Sequence, residues 1–113
     1  MGTTRHLSEL EEISLRHFLA LVKERFGEDY LGGALFGSKA RGDFHPESDL
    51  DIALFLRIVD GKIKREIYDI AADEFLETEV EISPLVFQKD SYERMKAEGW
   101  PITAEIERDK VLL

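Results

Sequence analysis

Residues 37–51 read GSKARGDFHPESDLD, from Gly37 and Ser38 through ten intervening residues to Asp49-Leu50-Asp51, and this stretch decides both the fold and the chemistry. A Gly-Ser pair after an apolar segment suits a tight turn at a phosphate, because glycine permits a close backbone approach and the serine hydroxyl can donate to the same oxygens. Two aspartates separated by one residue on a strand project from the same face about 6.5 to 7 Å apart, near enough to bind one divalent metal between them or to share two. The segments flanking the motif, Tyr30–Phe36 and Leu50–Leu56, are apolar and of strand length. If they are neighbouring strands, both halves of the motif meet at one sheet edge, where a metal-bound nucleotide fits.

Outward from this centre, the chain punctuates itself clearly. Ser8 with Glu11 three residues later has capping-box spacing, and Leu15, Phe18, Leu19, Val22 and Phe26 follow at helical intervals until Gly27. Asp60-Gly61 is a turn signal, leading into an amphipathic helix carrying Ile63, Ile67, Ile70, Ala71, Phe75 and Leu76, with a hairpin across the turn as the alternative. Glu79–Phe87 alternates again, with Val80 and Ile82 on one side and Glu79, Glu81 and Ser83 on the other. This predicts a third strand, and Pro84 marks an edge or a bulge. Asp90 or Ser91 can cap a short helix ending at Gly99, and Pro101 can open a last helical segment before Val111–Leu113. The order of elements predicts an α/β (α+β) fold, a small mixed sheet flanked by helices, in one domain over residues 1–113.

Size and charge narrow the function. At 113 residues, a single core is affordable but separate nucleotide and substrate domains are not, so a partner is expected to complete the site. The net charge of −9, from 24 acidic against 15 basic residues, repels a phosphate backbone and argues against duplex nucleic acid. Asp43, Glu47, Asp49 and Asp51 place part of that charge inside the motif, where metal ions can neutralise it. No apolar run of membrane-spanning length and no leader pattern is present, making the cytoplasm the default location, and the absence of cysteine excludes disulfides and thiolate metal sites.

The donor chemistry favours magnesium, which takes oxygen ligands, and a pair of such ions stabilises the attacking and leaving oxygens of an in-line phosphoryl or nucleotidyl displacement. Asp49 and Asp51 are the candidate metal ligands. Glu81, with Glu79 as the alternative, is the candidate third carboxylate, orienting a second metal or accepting the proton of the attacking hydroxyl. Lys39 and Arg41 lie near enough to help neutralise a triphosphate, although Arg41 pairs equally well with Asp43 or Asp49 to hold the loop. His6, His17 and His45 have no metal-site spacing, and Lys62, Lys64 and Arg65 read as a solvated helix face.

The combination resembles the nucleotidyltransferases of the DNA polymerase β superfamily, and the short length resembles their minimal branch. The resemblance spans about Leu31–Phe87, with a similar close from Pro101 to Leu113. It implies an α/β sheet with helices on one side. The family Gly-Ser falls on Gly37 and Ser38 and its metal-binding acids on Asp49 and Asp51. Its third acid falls on Glu81, a departure from the more usual aspartate. The implied reaction moves a nucleoside monophosphate, AMP from ATP, to an acceptor hydroxyl with release of pyrophosphate, using Mg2+, two ions by expectation. Minimal nucleotidyltransferases are often paired with a helical HEPN protein as antitoxin and toxin, which points to a protein acceptor. A catalytically inactive antitoxin and a small-molecule, aminoglycoside-like transferase are the alternatives, and homo-oligomerisation stays open.

Overall fold

The computed structural model describes residues 6–43 and 49–113. His45 and Glu47 lie outside the described residues. Helix α1 (Glu9–Phe26) leads through a short 3-10 turn to strand β1 (Tyr30–Phe36), the one-turn helix α2 (Ser38–Arg41) and strand β2 (Leu50–Leu56). Helix α3 (Gly61–Thr78), strand β3 (Ile82–Gln88), helices α4 (Lys89–Ala97) and α5 (Pro101–Asp109) and the two-residue strand β4 (Val111–Leu112) complete the order. Among the described residues, no helix is long and apolar enough to cross a membrane.

The sheet runs β3-β2-β1-β4, with β1 antiparallel to β2 and β4, and β2 parallel to β3 across the α3 connection. This is the mixed sheet expected from the sequence. Alternation along β2 sorts side chains to two cores. Leu50, Ile52, Leu54 and Leu56 pack with Leu15, Phe18 and Val22 of α1 and Ile67 of α3 on one face. Ala53 and Phe55 meet Tyr92 of α4 and Ile106 of α5 on the other. Tyr92 closes that second core edge-on against Phe55 and Phe87, with centroids 4.7 and 5.1 Å away. Helices therefore cover both faces, not one as the resemblance implied, because the C-terminal pair buries its own apolar stripe.

Several boundaries follow from local hydrogen bonding. Ser8 and Glu11 form the expected reciprocal capping box at α1. Asp60 caps α3 by accepting from the Ile63 amide at 2.8 Å, so Asp60-Gly61 starts a helix and not a hairpin. At the other end α3 runs on to Thr78, and Glu79 closes it with φ 63°, its amide bonded to the Phe75 carbonyl. The third strand consequently starts at Ile82, later than the expected Glu79, and Glu79 is not a strand residue. Neither Asp90 nor Ser91 caps α4, which begins at Lys89 after Gln88.

β3 is an edge. The Leu50 amide donates to the Glu81 carbonyl, so in the parallel register the backbone groups of Ser83 and Leu85 face β2, and those of Ile82, Pro84 and Val86 face outward. Pro84 therefore removes a donor from the exposed side alone, as an edge proline should.

A buried polar knot ties α1 to α3. Glu74, 3% exposed, accepts from Ser14 Oγ at 2.8 Å and meets His17 Nδ1, and Thr78 Oγ1 lies 3.3 Å from Ser14. Truncating Glu74 removes the shorter of the two hydrogen bonds at the fully buried Ser14 hydroxyl and the partner of His17. Glu74→Ala is expected to lower stability by about 1–3 kcal/mol, read as a shifted urea midpoint at unchanged m.

Candidate active site

The register between β1 and β2 places Phe36 opposite Asp51, so the turn that follows β1 at Gly37 folds directly over the aspartate. Gly37 adopts φ 76°, and a Cβ built there would collide with Asp51 Oδ2. Only glycine satisfies both constraints. The Asp51 side chain thus lies against the Gly37 backbone, where the two halves of the motif meet. Gly37→Ala is expected to displace Asp51 and cost at least about tenfold in metal-dependent nucleotide binding, because φ strain and side-chain overlap act together. Titration of the variant with a fluorescent ATP analogue and Mg2+ checks this.

Asp49 is exposed and lies just ahead of β2, which begins at Leu50, so of the two aspartates Asp51 alone is a strand residue. Asp51 is half-buried and its carboxyl is pushed above the usual range, first by desolvation, then by the negative charges of Asp49 and Glu105, against a smaller opposing pull from Arg41. Two carboxylates with an excess of negative charge around them suit a hard cation, and their oxygen-only chemistry fits magnesium. The fit requires no soft or nitrogen ligand.

The remaining predicted residues divide. Ser38 is the first residue of α2, beside Gly37. Arg41 ends that helix, and its guanidinium bonds Asp43 at 3.2 Å and Asp109 at 2.7 Å, so of the two sequence alternatives for its loop partner the structure shows Asp43 and adds Asp109. Lys39 instead turns inward. Its Nζ lies 2.8 Å from Glu11 Oε2 and the residue is 2% exposed, which places it in the foundation under the turn. Glu81 is exposed just ahead of β3 and lines, with Asp49, a cavity of about 470 Å3 that also includes Tyr68, Phe75 and Pro84. Among the described residues no group of three carboxylate or histidine side chains comes close enough to hold a metal together. Glu81 is therefore not gathered with Asp49 and Asp51 in this structure.

Sequence reasoning missed two acids on α5. Glu105 acts on Asp51 electrostatically, and Asp109, one turn further on, is gripped by two arginines. The i, i+4 spacing of these acids on a helix was the signal available, but nothing in the sequence said which way that face would point.

The profile of the nucleotidyltransferase domain matches residues 15–113, and the chain belongs to that family. A relative from Methanocaldococcus jannaschii, named "Putative protein adenylyltransferase", is 39% identical over 56 residues, covering 49% of this chain and 57% of the relative. The matched stretch thus spans little more than half of that relative's length. A crystal structure described as a toxin-antitoxin with AMP-PNP superposes with a TM-score of 0.58 at 13% identity, covering 85% of this chain and 69% of that one. A mutant of the toxin-antitoxin MntA-HpeT gives 0.55 at 15% identity, over 87% and 70% of the two chains. A protein titled "putative nucleotidyltransferase" from Sulfolobus solfataricus gives 0.54 at 19%, over 99% and 87%. These likenesses show a shared fold, and the family match places the chain among the nucleotidyltransferase domains.

Proposed function

We propose that the protein transfers AMP from ATP to a hydroxyl of a protein acceptor, serving as the antitoxin of a HEPN-type toxin. The observation that carries this reading is the contact of Gly37 with Asp51, which joins a phosphate-sized backbone turn to an anion-rich carboxylate pair. Gly37 and Ser38 would seat the triphosphate, Arg41 would neutralise it, and Asp49 and Asp51 would hold Mg2+. Bound there, the metal would supply charge stabilisation at the displaced and attacking oxygens. The protein's own contribution is positioning and the exclusion of alternative geometries around the transferred phosphorus. The adenylyltransferase name of the archaeal relative and the toxin-antitoxin titles of the structural neighbours support the acceptor class.

The reading is tested by incubation with labelled ATP, Mg2+ and a purified HEPN partner, followed by mass analysis. Added AMP on a partner hydroxyl is expected. An unmodified partner in the presence of bound MgATP would refute the protein acceptor, and a panel of aminoglycosides then tests small-molecule transfer. A second reading, an antitoxin that acts by binding alone, is supported by the toxin-antitoxin titles of the structural neighbours. That reading predicts that carboxylate variants still neutralise the toxin in cells.

A further inference from the structure

Arg41 is where the phosphate turn touches the C-terminal helix. Its Nη1 lies 2.7 Å from Asp109 Oδ2, across 68 residues of sequence, while its Nε holds Asp43 at 3.2 Å. The Asp109 side chain is 2% exposed and is closed from the other side by Arg108, whose Nε and Nη2 lie 2.7 and 2.9 Å from the two carboxylate oxygens. A buried carboxylate with both oxygens bonded has one available orientation. The guanidinium it holds inherits that rigidity. Glu105, four residues earlier on the same helix, and Arg41 itself both lie within electrostatic reach of Asp51, so this face of α5 lies near that carboxylate.

We propose that Asp109 is a positioning residue for the nucleotide. By fixing the Arg41 guanidinium at the margin of the Gly37–Asp51 site, it presets a planar cation for the triphosphate of MgATP, and α5 thereby becomes part of the binding apparatus. The proposal rests on the nucleotide reading above and adds a residue that contacts no ligand itself. Asp109 is held ionised for the role, its carboxyl drawn down to about 2 chiefly by the Arg108 hydrogen bonds. A freely rotating arginine would have to be ordered on binding, and that entropy would oppose affinity.

The test is a double-mutant cycle on the full chain, with a fluorescent ATP analogue and Mg2+ as probe and melting temperature recorded for each variant. Asp109→Asn is expected to weaken binding about tenfold and Arg41→Gln by at least as much. In the Arg41→Gln background, Asp109→Asn is expected to add less than about twofold, because its effect passes through the arginine. Unchanged or tighter binding by Asp109→Asn overturns the proposal, as does an equal loss with and without Arg41. If Asp109→Asn does not fold, Arg41→Lys decides the matter. It keeps the charge but cannot bridge Asp109 and Asp43 in the same fork, so a loss near that of Arg41→Gln is expected and wild-type affinity overturns the proposal. Failure of the unmodified protein to bind the probe overturns the nucleotide reading itself, and this inference with it.

Discussion

Asp49→Asn and Asp51→Asn are each expected to reduce AMP transfer by about 1,000-fold. A metal-bound phosphoryl oxygen contributes several kcal/mol to the transition state, and each 1.36 kcal/mol is a decade in rate. Neither change removes much volume, so the fold should remain. For Asp51 the stability effect has a definite sign. Its carboxyl is raised by burial and by the neighbouring negative charges of Asp49 and Glu105, so the folded state binds that proton more tightly than the unfolded chain does. The associated stability is present at low pH and lost as pH rises through the raised value, which makes the ionised group a cost at neutral pH. Asp51→Asn is therefore expected to raise the melting temperature of the metal-free protein by a few degrees while abolishing transfer. A calorimetric scan together with a label-transfer assay reads both effects. Loss of melting temperature with full transfer would remove Asp51 from the site.

The largest expected stability loss comes from Glu11→Ala. Glu11 has two tasks, accepting the Ser8 amide in the capping box and meeting the buried Lys39 ammonium at 2.8 Å. Its removal takes the carboxylate away from a cation that is 2% exposed, and breaking a buried ion pair from one side typically costs about 3 kcal/mol or more. For a chain of this size, that corresponds to a fall of roughly 10 °C in melting temperature. Lys39→Met is the informative contrast. An apolar chain of similar length fills the same space, and Glu11, itself 14% exposed by side chain, retains contact with water. A smaller cost than that of Glu11→Ala is expected, because the carboxylate left behind is the less buried partner, with MgATP affinity within about twofold of the original. A large loss of affinity in Lys39→Met would restore Lys39 to the phosphates.

The sequence exposed those features that depend on near neighbours. The Ser8–Glu11 box, the Asp60-Gly61 turn into a helix, the Tyr30–Phe36 strand and the Gly37 turn are each specified within a few residues, and all lie where their patterns placed them. The orientation of Lys39 was hidden because its carboxylate lies 28 positions away. Arg41 and Asp109 are separated by 68 positions, a pairing decided by the packing of Ile106 against Ala53 and Phe36 and by no local preference. The late start of β3 is a middle case. Alternation through Val80 and Ile82 is real, yet the Thr78 hydroxyl accepting the Val80 amide and the left-handed Glu79 extend the helix end at the strand's expense. Tertiary and capping interactions outweighed a two-residue period there.

Pro84 gives the border of the sheet a social consequence. A stranger chain, or a second copy, that tried to zip along β3 would find acceptors without the matching amide halfway through the seven-residue row. Templated growth stalls at such a gap. Among the described residues, the outward row of β3 is thus one amide short, which weakens it as a template for a further strand.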